Sequence, residues 1–182
     1  SAFERERLFV VYQPQVRLSD RQLIGVEALL RWRNDDGSFV APAQFIPLAE
    51  SSGLIISLGE WVLRSACHDL QRINQQSPQP LRMAVNVSVM QFRQPNFLEM
   101  LDRTLAESAI DPRLLELEIT ESVAMLDAGF MIALLNQIKS RGICIAVDDF
   151  GTGFSSLSYL EQLNVDRLKI DISFVRQMEQ SA

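Results

Sequence analysis

Cysteine and histidine are almost missing: the 182 residues hold two cysteines, Cys67 and Cys144, and one histidine, His68. Without a Cys/His cluster zinc is disfavoured, and a metal would have to be held through oxygen. Cys67 falls in an amphipathic stretch and Cys144 inside an apolar run, so both read as small buried hydrophobes rather than a disulfide pair. His68 sits in a helical pattern, where a surface or helix-packing role is expected. Long apolar runs are also lacking. None approaches the roughly 20 residues of a spanning helix, and the N-terminus has no signal-peptide layout, so a cytoplasmic domain is expected. A basic surplus is missing too: the formal net charge is -6. That argues against a broad surface for polymeric nucleic acid but leaves room for a small anionic ligand held by a few cations and a metal.

What is present is enough for one sizeable core, with 47% hydrophobic residues, and too short for two ordinary domains. Phe3-Glu4-Arg5-Glu6-Arg7 resembles the cut end of a linker helix, which suggests a piece of a larger protein. Leu8 to Leu18 and Gln22 to Arg33 read as strands joined by a turn at Ser19-Asp20-Arg21, an antiparallel pair. Helices then alternate with short apolar runs. Helices are expected near Pro42 to Ser51, Leu58 to Gln75, Asn96 to Ser108, Val123 to Arg141 and Ser155 to Gln162. Strands are expected at Leu81 to Val87, Leu114 to Ile119, Ile143 to Val147 and Asp166 to Ile170. Asp111-Pro112 and Arg141-Gly142 fall where helices should end. The alternation indicates a βα-repeated, largely parallel sheet, either doubly wound or closed as a barrel.

Polar residues interrupt these strands late in each run: Asn86, Glu118, the pair Asp148 and Asp149, and Lys169. Buried carboxylates need hydrogen bonds, ion pairs or a metal. In a βα barrel, C-terminal strand ends share the active-site face. Glu27 joins them, since Glu27, Leu29 and Arg31 share one strand face while Ala28, Leu30 and Trp32 share the other. Glu27 and Arg31 then lie roughly 13 Å apart along the strand. For Glu27 alone, an internal ion pair or a solvated strand face is an equal alternative. The donors are all oxygens, which suits Mg²⁺ or Mn²⁺. Extended backbone would send Asp148 and Asp149 to opposite faces, but Gly151 and Gly153 allow a turn just there, so the pair could serve two ions. Two such cations about 4 Å apart would activate a water and stabilise the leaving oxygen of a phosphodiester. Taken alone, Asp148-Asp149-Phe150-Gly151-Thr152-Gly153 reads first as an acidic, glycine-rich turn capping the next helix, and only the other strand-end groups turn the balance toward a metal site. It lacks the lysine of a phosphate-cradling loop.

Together the motifs resemble a known family. Glu27-Ala28-Leu29 within GVEALLRW, Asn86-Val87-Ser88, Glu118-Ile119-Thr120-Glu121-Ser122, Asp148 to Gly153 and Leu168-Lys169-Ile170-Asp171 follow the order of EAL domains. Tyr12-Gln13-Pro14 and Phe45 to Glu50 add to the match. The resemblance covers essentially the whole chain. It implies an α/β TIM-like (β/α)8 barrel with an antiparallel first strand, here a single domain over residues 1–182 with about six of eight strands and without its C-terminal portion.

The function it implies is metal-dependent hydrolysis of cyclic di-GMP to linear pGpG, in bacterial signalling. The alternative is a cyclic di-GMP receptor without catalysis, since family members carry a further catalytic glutamate beyond the region matched here. The resemblance assigns Glu27, Asn86, Glu118, Asp148 and Asp149 to metal binding, with Glu27, Asp149 and Lys169 in catalysis. Gln13, Arg31 and Asp171 fall at substrate positions, and Glu121 at the anchor of the loop Asp149 to Ser156. It further implies two Mg²⁺ or Mn²⁺ ions, Ca²⁺ as an inhibitor, a homodimer, and a cytoplasmic domain fused to sensory or GGDEF domains in a soluble or membrane-tethered parent.

Overall fold

The computed structural model describes residues 7–124, 127–150 and 161–171. Two compact units divide the chain, Ser1–Leu115 and Glu116–Ala182.

In the first unit, β1 (Leu8–Val16) and β2 (Leu23–Arg33) pair antiparallel, as the hairpin pattern indicates. The turn is closed by Arg17 N–H donating to the Gln22 carbonyl at 2.8 Å, while the Asp20 carboxylate accepts from Gln22 N–H at 3.1 Å. A two-residue β3 (Phe39–Val40) pairs with Trp32 and Arg33, and β4 (Arg82–Asn86) runs parallel to β2 over Gly25 to Ala28. Gly25 is required by this second pairing: a Cβ there would lie 2.9 Å from the Arg82 carbonyl oxygen.

The period of two in β2 decides what is buried. Val26, Ala28, Leu30 and Trp32 share the face covered by α1 (Pro42–Ser51) and α2 (Leu54–Gln76), where Leu30 and Trp32 pack on Leu8, Ala49, Ile55 and Leu58. The Trp32 ring meets Phe45 edge-on, centroids 5.8 Å apart. Tyr12 belongs to this covered face, and its hydroxyl donates to Asp69 of α2. Burial first, then this bond to Asp69, raises the phenol above its usual range. Gln13, the next residue, faces the other way. The adjacent pair thus divides between the two faces of the sheet.

α2 begins four residues before the expected Leu58, because Gly53 (φ 73°) reverses the chain after α1. Among the described residues no single helix is long and apolar enough to cross a membrane. Cys67 is fully buried in α2, which pushes its thiol up to about 12, and Cys144 is only partly buried, unlike the expectation for it. His68 is exposed on α2, in keeping with a surface role. After β4 a one-turn α3 (Val89–Phe92) is closed by a capping box: the Ser88 side chain accepts from Gln91 N–H, and Gln91 Oε1 from Ser88 N–H. α4 (Phe97–Ser108) follows and is tied to α2 by Arg64–Glu107 and Arg103–Glu60, each 2.8 Å. It ends at Ala109 in the left-handed region, and Pro112 opens a 3-10 turn over Pro112–Leu114.

In the second unit, β5 (Leu115–Thr120, starting at the last residue of the first unit), β6 (Cys144–Phe150) and β7 (Arg167–Ile170) are parallel, with β6 in the middle. Leu117 and Ile119 lie level with Ile145 and Val147, and all four are buried on one face. The single helix expected from Val123 to Arg141 is instead α5 (Glu121–Ala124) and α6 (Ala128–Ser140). The interruption has a local cause: Asp127 adopts φ 44° and its side chain accepts from Phe130 N–H, which starts a new helix. Lys139 of α6 reaches Asp166 at 2.8 Å, and the other oxygen of Asp166 accepts from Ile145 N–H, fixing the entry to β7. Of the helix expected from Ser155 to Gln162, positions 155 to 160 lie outside the described residues, and 161 and 162 are helical.

Candidate metal and phosphodiester site

The first unit gathers part of the set on the open face of its sheet. Glu27 lies level with Gln13 on one side and Ala84 on the other, and Asn86 is one two-residue step beyond Ala84. Asn86 Nδ2 therefore reaches Glu27 Oε1, donating at 2.9 Å. Because the amide nitrogen makes this bond, the Asn86 amide oxygen remains as an acceptor. Arg31 follows Glu27 on the same face, its Nη1 donating to the Leu30 carbonyl at 2.9 Å. It lies four positions beyond Glu27, nearer the end of β2.

The second unit gathers the rest. Glu118, at 1% exposure, and Asp148 offer carboxylate oxygens within 4.8 Å of each other. Lys169 Nζ lies between them, 2.7 Å from Glu118 Oε2 and 3.1 Å from Asp148 Oδ2. The three side chains come from β5, β6 and β7: Glu118 is level with Ala146, Asp148 lies one two-residue step further on the same face of β6, and Lys169 lies one such step beyond Arg167, the β7 residue level with Ala146.

Gly151 and Gly153, expected to allow a turn, lie outside the described residues, and the backbone already leaves the extended region at Asp149. Asp149 has φ 56°, and the β6/β7 register shifts between Val147 and Phe150. Asp tolerates this left-handed backbone better than most residues. The result is that adjacent aspartates need not alternate. Burial, then the charges of Asp148 and Asp171, raise the Asp149 pKa, with Lys169 opposing. Asp171 lies at the end of β7, its N–H donating to the Phe150 carbonyl at 3.3 Å. Glu121 is buried at the start of α5, while the loop it is expected to anchor lies beyond Phe150, outside the described residues.

The donors suit hard cations: carboxylates and one amide oxygen, with an ammonium now supplying positive charge between two of the carboxylates. The elevated pKa of Asp149 gives a test in the metal-free protein. Its ionised form is disfavoured on folding, so the penalty is complete above the folded pKa and absent below the unfolded value of about 3.9. Asp149→Asn keeps a residue suited to left-handed backbone. In chelator at neutral pH the variant is expected to resist urea better than the parent chain, with the gain shrinking as pH falls toward about 4. A gain independent of pH, or none, contradicts the electrostatic account.

Sequence reasoning missed Glu116 and Arg167, an ion pair on the same face as Glu118 and Lys169. The signal was the period of two: each lies two residues before a residue already singled out.

The family model for the EAL domain matches residues 1–182. The chain is 41% identical over 177 residues to the Pseudomonas aeruginosa protein named bifunctional diguanylate cyclase/cyclic di-GMP phosphodiesterase MucR, covering 97% of this chain and 26% of that protein. A second protein of that species, named a cyclic di-GMP phosphodiesterase, is 44% identical over 95% of this chain and 29% of its own length. The chain thus spans roughly a quarter of these relatives. A solved structure of the PaMucR phosphodiesterase in complex with c-di-GMP superposes with a TM-score of 0.92 at 41% identity, over 98% of this chain and 72% of that one. The fold is that of a TIM-like barrel, of which this chain carries part. With its motifs, strands and relatives in agreement, the chain belongs to the EAL domain family.

Proposed function

We propose that the domain hydrolyses cyclic di-GMP to linear pGpG, using Glu27, Asn86, Glu118, Asp148 and Asp149 as ligands for Mg²⁺ or Mn²⁺. The carrying observation is the ammonium of Lys169 set between the carboxylates of Glu118 and Asp148. Carboxylates so close require a cation, and an oxygen-only set is one that hard divalent ions accept. When bound, such ions supply polarisation of the phosphodiester and a lowered pKa for water.

The side chains divide the remaining work. Asn86 orients Glu27 by its hydrogen bond, and Lys169 holds positive charge beside Glu118 and Asp148, where it orients the attacking water or steadies developing negative charge. Asp149, with its raised pKa, is a group whose ionisation a nearby cation favours. Arg31 holds a phosphate or base, with Gln13 and Asp171 as further substrate contacts. Glu121 anchors the loop that follows Asp149, and the domain works as a homodimer within a longer cytoplasmic or membrane-tethered protein carrying sensory or GGDEF modules.

The test is incubation of the full-length protein with cyclic di-GMP and Mg²⁺ or Mn²⁺, separating the products. Linear pGpG is the expected product. Tight binding in Ca²⁺ with no hydrolysis in Mg²⁺ or Mn²⁺ would instead make the domain a receptor.

A further inference from the structure

The ion pair between Arg167 and Glu116 lies one step below the pair formed by Lys169 and Glu118. Glu116 and Glu118 are two residues apart on β5, share a face, and are 3% and 1% exposed. Their cations are two residues apart on β7, and Ala146, level with both Glu118 and Arg167, leaves the space in which the pairs cross β6. Two nearly buried carboxylates one step apart, about 7 Å along the strand, compete for the same cations. A lysine on its flexible stem can follow either one.

We infer that Arg167 is a positioning residue: by occupying Glu116 it keeps the ammonium of Lys169 on Glu118 and Asp148. The choice of cation fits each place. A guanidinium fork is suited to a deep carboxylate, and a compact ammonium to a position beside a reacting group. With Arg167 gone, Glu116 loses this counter-charge, and the cation one step above on β7 is Lys169. The ammonium is then drawn down, away from Asp148. The inference rests on the proposed role of Lys169 in hydrolysis, and it names a residue that acts through that lysine without touching substrate.

The test uses the full-length protein with Arg167→Gln, Glu116→Gln, and the two combined. Displacement of a group by about 1 Å can cost up to about 100-fold, so Arg167→Gln is expected to lower kcat by about 10- to 100-fold. KM should stay within about twofold, because ground-state binding is not touched. The combined variant, with no carboxylate at 116 to draw the lysine, should recover to within about threefold of the parent kcat. Unchanged kcat in Arg167→Gln, or a combined variant as slow as the single one, overturns the inference.

Should Arg167→Gln fail to fold, Arg167→Lys retains the charge on Glu116 and should keep kcat within about threefold; a loss of about tenfold or more overturns it. A readout free of activity separates this from the functional proposal. The ammonium resonance of Lys169 in ¹⁵N-lysine-labelled, metal-free protein is assigned by its loss in Lys169→Met. That resonance should move in Arg167→Gln and return in the combined variant. If the parent protein leaves cyclic di-GMP intact, the functional proposal falls and the resonance decides the placement: no movement overturns it.

Discussion

Glu27→Ala is expected to abolish turnover of cyclic di-GMP, a loss of about 10³-fold or more, equivalent to about 4 kcal/mol of barrier. Two effects act together. The substitution removes a proposed anionic metal ligand, and it removes the acceptor of the Asn86 amide hydrogen bond. Glu27→Gln separates them, because its amide oxygen can still accept from Asn86 but carries no charge. It should therefore be nearly as slow as the alanine variant if charge is what matters. Glu27 is only half-buried on an open sheet face, so neither change should alter thermal unfolding much. Hydrolysis near the parent rate in either variant contradicts the assignment.

Lys169→Met should have the largest effect on stability. It leaves the nearly buried Glu118 facing Asp148 without the ammonium that now lies between them. Breaking one partner of a buried pair costs about 3–5 kcal/mol. At roughly 2–4 °C per kcal/mol for a chain of this size, the melting temperature should fall by about 10 °C. Mn²⁺ or Mg²⁺ should restore much of that loss, since a divalent ion replaces the missing positive charge and binds the folded state alone. Turnover should stay low even then, because the proposed function gives the lysine its own part in the reaction. A variant as stable as its parent in chelator, or one unmoved by divalent ions, contradicts this reading.

Much of this was legible in the sequence because the signals were local. The hairpin announced itself through two strand patterns around Asp20, and α1 matched its expected span because Pro42 suits a first helical position. Glu27, Asn86, Glu118, Asp148 and Lys169 stood out as polar residues late in apolar runs. What escaped depended on neighbours distant in sequence or on single dihedral angles. The pairing of Lys169 with Glu118 crosses 51 positions and reaches across β6, the strand between. The division of α5 from α6 turns on Asp127, and the reorientation of Asp149 on its own left-handed backbone. The capping box at Ser88 and Gln91 was readable as spacing, but a four-residue helix has too little periodicity to attract notice.

The measurement closest to the central claim is a metal add-back experiment on the full-length protein. After chelation and removal of the chelator, cyclic di-GMP should remain intact; on titration with Mn²⁺, production of pGpG should rise in step with bound Mn²⁺ measured by electron paramagnetic resonance. Glu118→Gln should weaken both together. Hydrolysis that persists in the stripped protein, or Mn²⁺ that binds equally well to Glu118→Gln, would contradict a hard-metal site built on these carboxylates.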